Sequence, residues 1–453
     1  MVQKLTEDEL LISVRKFDIT PTSPVSLLGY FNRRISEGVL DPLYCRIAAL
    51  RKGDENLLFI QIDSCLIEAE DVLTLKKRIG ESTHFKPEQI MVFTSHTHTA
   101  PALADFFTTR KEHRYCKSLL ARIINETVKL NPSRPCTLMV AKLRYKNLCY
   151  NRRWFLKDGR VVTNPPKASA LLDRPEGDVD REMITLAFYC MDEKESRTGA
   201  KKPVLLFVNI SNHTDTLGGC MISADWPGLM ERRIDEMLGV DIPVFTLIAP
   251  QGNINHFDFH SKRSQTDYAE TRRIGEAYAR LVINSIRKGK SIEVKKLKGL
   301  LENVSVPPRE FFEKDLEWAK AILEIPISEE PNKDLTAEDL AKEDPPVQRL
   351  FAEALLEFAS KRAPSYTVPL QILQLGPVTF CAIPGEPFAE LGLQLKRMHP
   401  DRIIIPVALA NGYFGYIPLE DCFDRGGYEV KASLYNCLSR KAAGTILEWF
   451  EKK

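Results

Sequence analysis

QIMVFTSHTH, residues 89–98, joins a run of apolar and β-branched residues to two histidines set one residue apart. So short an apolar run fits a strand buried on both faces better than a helix. Similar runs recur along the chain: CRIAALR, LLFIQID, CTLMVAKL, PVLLFVNIS, VFTLIAP, LQILQL, VTFCAI and RIIIPVALA. Between them lie longer amphipathic segments such as AEDVLTLKKRI, YCKSLLARIINETVKL, PGLMERRIDEML and DYAETRRIGEAYARLVINSIRK. Their alternation predicts an α/β protein with mixed, multi-stranded sheet layers flanked by helices.

The 453 residues exceed one simple core and suit two to three lobes of ordinary size. A Lys-rich strand at 288–298 leads into an acidic, helix-rich stretch at 308–363, after which strands resume at Tyr366. We read 1–453 as one catalytic unit and 308–363 as a helical insertion or lid within it.

Composition excludes several classes. Sixty-three basic residues against 61 acidic ones leave a net charge of +2, so no global field would recruit nucleic acid or an anionic membrane. The first twenty residues are charged and broken up and do not read as a secretory signal. The longest apolar runs are strand-length, well short of the ~20 residues of a transmembrane helix. Ten cysteines are scattered without a C-x-x-C pair. Reduced, buried thiols and a cytoplasmic location are therefore expected.

Polar residues follow strand after strand. IMVFT leads to Ser95, His96 and His98; LLFVNIS to His213 and Asp215; FTLIAP to Gln251, Asn253, His256 and His260. VTFCAIP ends at Gly385 and Glu386, and RIIIPVALA at Asn411, Tyr413 and Tyr416. Ligands of sheets with parallel strands gather at such carboxyl ends.

In extended chain, two imidazoles at i and i+2 point the same way, so His96 and His98 can share an ion or divide ligand and base roles. A serine nucleophile at Ser95 would need a G-x-S-x-G elbow, which is absent. His213 suits a ligand or a turn cap equally. Glu386, in I-P-G-E-P, is placed either to approach a bound group or to begin the next helix. By spacing alone, Tyr416, Tyr428 and Arg152 read as packing or solvated side chains.

Taken in order, these segments resemble the neutral ceramidases, zinc amidases that cleave the N-acyl bond of ceramide. SHTHTAPA is similar to that family's SHTHSGPGG, and NHTD and AIPGEPF to its other ligand segments. LANGYFGYIP resembles its Asn-x-Tyr-x-x-Tyr stretch, a further tyrosine follows twelve positions on, and Asn151-Arg152 resembles an Asn-Arg-Ser motif. ISADWPG and FDITP resemble two more of its segments. The resemblance implies a Zn2+ ion held by His96, His213, Glu386 and Tyr416. It also implies proton transfer by His98 and an active site lined by Arg152 and Tyr428.

The chain departs from the pattern in places. Gly-Asp-Val-Ser-Pro-Asn is here residues 252–257, GNINHF, and the preceding catalytic serine falls on Ala249. The family's carboxy-terminal β-rich domain is expected to be missing. The reading is thus a zinc-dependent hydrolase of an amide in a small-molecule or lipid-like N-acyl substrate, with the amide itself left open.

Two alternatives stand beside it. His256 and His260 could join the other histidines in a two-metal, amidohydrolase-like site. Ala249 and Asn253 would suit a non-catalytic binding protein on the same fold.

Overall fold

The computed structural model describes residues 9–190, 201–326 and 337–453. Its main sheet contains β1 (Leu11–Asp18), β2 (Tyr44–Lys52), β3 (Glu55–Ile62), β4 (Ile90–Thr94), β5 (Arg134–Arg144), β6 (Glu182–Cys190), β7 (Leu205–Ile210) and β8 (Val244–Ile248). They lie in the order β8-β7-β6-β5-β1-β2-β3-β4, with the short strand Lys290–Ile292 added against β5. A second sheet runs β9 (Leu297–Val306), β10 (Tyr366–Leu375), β11 (Val378–Ala382) and β12 (Ile403–Val407) in sequence order.

The two sheets pack face to face. Phe59 of β3 meets Phe207 of β7 and Phe380 of β11, each at 4.9 Å between ring centroids. Every residue of β4, β7, β8 and β11 is buried. This explains their continuous apolar sequences, since a strand covered on both faces has no polar face to alternate with.

Helices cover the outer faces. α1 (Ala69–Ser82) and α2 (His113–Val128) bury Val72, Leu75, Ile79, Leu119 and Ile123 against one half of the main sheet. α3 (Asp225–Leu238) and α4 (Tyr268–Ile286) cover the other half through Trp226, Met230, Ile274 and Tyr278. α5 (Glu313–Glu324), α6 (Ala337–Lys342) and α7 (Pro345–Lys361) come between β9 and β10. α8 (Ala389–Met398) and α9 (Ala442–Glu451) pack on the second sheet through Leu391, Leu395 and Ile446. The result is a helix–sheet–sheet–helix sandwich, the mixed architecture expected from sequence.

Most strand pairs are antiparallel, but β3 with β4, β7 with β8, and β11 with β12 are parallel. β4, β7, β8, β11 and β12 are the strands whose ends carry the polar clusters. Parallel pairing sends the carboxyl ends of paired strands to one edge, so the chemistry collects there.

The helical stretch expected at 308–363 follows strand β9, whose whole length pairs with β10 from Leu297↔Leu375 to Val306↔Tyr366. Residues 327–336 of that stretch lie outside the described residues. Among the described residues none of the ten cysteines is in a disulfide, and all are buried except Cys220, which is half-buried. Among the described residues, no helix is long and apolar enough to cross a membrane.

Candidate metal centre

Three loops bring His96, His213 and Glu386 together. His96 follows β4 with φ +64°, a left-handed conformation that a non-glycine residue adopts only when its surroundings enforce it. Its Nδ1 lies 2.9 Å from the Cys65 carbonyl. A carbonyl only accepts, so Nδ1 carries the hydrogen and Nε2 turns its lone pair inward.

His213 follows β7. Its carbonyl accepts from Trp226 Nε1 at 2.8 Å, and the neighbouring Thr214 hydroxyl donates to the Ser95 carbonyl at 2.9 Å. The second bond ties the two histidine loops to each other. Glu386 follows β11 in the two-residue strand Glu386–Pro387, which pairs with Tyr416–Ile417. Gly385 has φ +147°, and a Cβ there would stand 2.5 Å from the Gly415 carbonyl, so the close approach of these segments requires glycine.

The distances are specific. His96 Nε2 lies 3.2 Å from His213 Nε2, 3.3 Å from Glu386 Oε2 and 3.4 Å from His98 Nε2. A tetrahedral ion with bonds of about 2.0–2.1 Å holds neighbouring ligand atoms about 3.3 Å apart. Ligand atoms of His96, His213 and Glu386 all fall within 4.8 Å of one another.

Tyr413 donates its hydroxyl to Glu386 Oε1 at 2.9 Å, and Oε2 accepts no hydrogen bond among the described residues. A buried carboxylate oxygen without a donor is costly unless a cation faces it. Spacing, donor types and this orphaned oxygen all fit a zinc-like ion.

Electrostatics agree. Burial, then the charge of His96, press His98 and His213 well below the ordinary histidine range, so both are neutral lone-pair donors. Burial opposes the charge of Glu386, but His96 and Arg152 outweigh it and keep the group a carboxylate. Burial likewise opposes a proton on His96, yet Cys65 and Glu386 raise its pKa.

His98 reaches the cluster with Nε2, while its Nδ1 lies 3.5 Å from Asp215 Oδ1. The Tyr30 hydroxyl donates to that carboxylate oxygen at 2.5 Å and its ring meets His98 edge-on at 5.6 Å. Gly29 admits the imidazole, because a Cβ at φ +119° would stand 2.5 Å from its Cγ.

Arg152 is buried, donating to Glu429 Oε1 at 3.1 Å and to the Gly252 carbonyl at 2.6 Å. The Tyr416 and Tyr428 rings flank its guanidinium at 5.2 and 5.1 Å. Burial first, and Glu386 next, hold the Tyr416 phenol well above its ordinary pKa. His98, Arg152, His213, Tyr416 and Tyr428 all line one cavity of about 800 Å³.

The other histidines do not join the cluster. His256 also lines the cavity, but its Nε2 bonds the Gln265 carbonyl at 2.5 Å, and His260 is exposed against Trp154. Among the described residues the structure therefore does not assemble the second ligand set of a two-metal site. Asn253 has a structural task, accepting from the Ala389 amide and donating to Glu390, each at 2.8 Å. Its bonds fix the segment just after Glu386.

Tyr413, Asp215, Tyr30 and Cys65 were not singled out by sequence reasoning. Only Tyr413 and Asp215 carried a signal there, as polar residues at strand ends.

No family model matches the sequence. The fold is similar to that of the neutral ceramidase from Pseudomonas aeruginosa, with a TM-score of 0.70 and 14% identity, covering 98% of this chain and 73% of that one. It is also similar to a ceramidase complexed with C2, with a TM-score of 0.69 and 13% identity over 98% and 74% of the two chains. These likenesses show that the chain has the fold of the neutral ceramidases.

Proposed function

We propose that the protein is a zinc-dependent hydrolase of amide bonds in N-acyl compounds, with His96, His213, Glu386 and Tyr416 as ligands. The single observation that carries the reading is the 3.2–3.3 Å spacing of His96 Nε2 to His213 Nε2 and Glu386 Oε2, the edge length of a tetrahedral site.

When bound, zinc acidifies water and polarises a carbonyl. The side chains supply the rest. His98, neutral and seated between Gly29 and the Tyr30 ring, takes the proton of the attacking water as its oxygen bonds to the carbonyl carbon. The same proton passes to the leaving nitrogen as the C–N bond breaks, giving a carboxylic acid and an amine. Arg152 and Tyr428 face the cavity as donors for the oxyanion.

His98 Nε2 stands 3.4 Å from His96 Nε2, also a ligand-edge distance. That favours a second reading, in which three imidazoles and Glu386 hold the ion and Tyr416 does not.

Metal analysis of purified variants separates the two. His96→Ala, His213→Ala and Glu386→Gln should each lose the ion, whereas His98→Ala should keep it and lose hydrolysis of an N-acyl panel. Loss of metal from His98→Ala would establish the second reading. Full activity in a metal-free protein would end both.

A further inference from the structure

The cavity beside the cluster is lined by two chemically different groups of residues. On one flank, Phe31 packs against Tyr428 at 6.0 Å and meets Phe107 at 4.9 Å and Phe351 at 5.6 Å. Tyr435 continues this wall, 5.2 Å from Phe107. Rings at these spacings form an apolar surface suited to an alkyl or aryl chain.

Another part of the lining, around His256, Phe257 and Lys167, is polar and cationic. His256 Nε2 donates to the Gln265 carbonyl, which fixes the tautomer and leaves Nδ1 as an acceptor. That Nδ1 is buried and has no hydrogen-bond partner among the described residues. The Phe257 ring lies tilted against His256 at 4.4 Å, and the Lys167 ammonium stands 4.3 Å over the Phe257 ring.

Lys167 is half-buried and lines the cavity. Among the described residues it makes no ion pair. The charges acting on it are those of Arg263 and Glu270, which bind each other at 2.7 Å. Lys431, the other lysine of the cavity, is by contrast already neutralised by Glu343 at 2.6 Å.

The loop is built to hold Lys167 in place. Pro165 and Pro166 restrict the preceding backbone. The amides of Asn164 and Ala168 bond the carbonyls of Arg152 and Phe259, each at 2.7 Å. A half-buried cation held this way without a counter-charge is a site for an anion.

We infer that the substrate is an anionic acyl amide, an N-acyl amino acid being the simplest, with its acyl chain on the Phe31 wall and its carboxylate at Lys167. The unpartnered His256 Nδ1 would accept a hydrogen from the amine half. This rests on the hydrolase reading above and narrows it, since a neutral acyl amide would leave the cation unanswered.

The test compares N-dodecanoylglycine with N-dodecanoylethanolamine, which differ in the charge of the amine half. The metal-loaded enzyme should show a kcat/KM at least tenfold higher for the acid. Lys167→Ala should cut that ratio tenfold or more, and Lys167→Arg should preserve it. A ratio near one in the unaltered enzyme, or one that Lys167→Ala leaves unmoved, overturns the assignment while amide hydrolysis stands.

If neither compound is cleaved, the hydrolase reading fails for these amides, and calorimetric binding of the same pair decides the pocket. Tighter binding of the acid that depends on Lys167 upholds the anion site. Equal affinity removes it.

Discussion

His256 illustrates how a single buried group ties stability to pH. Burial lowers its pKa to about 4 from an ordinary 6.5, although Asp215 and the bond to Gln265 pull the other way. The folded chain therefore refuses a proton that the unfolded chain accepts. This contribution to stability is fully present above pH 6.5 and is lost as the pH falls towards 4, a change of ~3 kcal/mol for a shift of this size. His256→Gln removes the titration, so its unfolding free energy should fall less steeply than that of the unaltered protein between pH 6.5 and 4. Denaturant unfolding at several pH values measures both slopes, and parallel curves would refute the assignment. At this scale the convergence of His96, His213 and Glu386 was partly legible in sequence, because all three stood at the ends of apolar runs and the resemblance to the ceramidases set them together as a candidate ligand group. Tyr413 was not, since its bond to Glu386 is made between two loops that sequence cannot place side by side.

Strands and turns decide whether those residues converge. The parallel pairs β3 with β4, β7 with β8 and β11 with β12 deliver the loops to one edge, and the junction at Gly385 sets Glu386. The Glu386 amide donates to the Gly415 carbonyl at 2.9 Å, and the Leu409 amide to the Gly385 carbonyl at 2.9 Å. An added Cβ would force the Gly415 carbonyl away and carry Glu386 with it. Gly385→Ala should therefore lower metal affinity at least tenfold, read from retained metal after dialysis against a graded chelator. Unchanged retention would mean that the junction tolerates the methyl group. Apolar runs announce all six strands of the parallel pairs, whereas no such run marks β1 (LISVRKFD), whose second half carries Arg15, Lys16 and Asp18. Its place between β5 and β2 depends on pairing with distant chain, information that no local pattern holds.

At the scale of the whole molecule, the helices between β9 and β10 reach back to the edge that carries the candidate metal centre. α5 and α7 pack together through Ala319, Ala352 and Leu355. α7 then presents Phe351, buried against Phe31 at 5.6 Å and Phe107 at 6.1 Å, with the Lys431 ammonium 4.8 Å from its ring. Composition marks this stretch as helix-rich, but the contact of Phe351 with residues over 200 positions away could not be read from it. We propose that the insertion forms the outer wall for the acyl chain. Phe351→Ala would remove ring surface that a long chain touches and a short one does not reach, a loss of about 1–2 kcal/mol of apolar contact. The kcat/KM for a dodecanoyl amide should then fall about tenfold, mainly through KM. The value for the acetyl amide of the same amine should change much less. If both fall together, Phe351 supports the catalytic edge as a whole and the insertion has no part in selecting chain length.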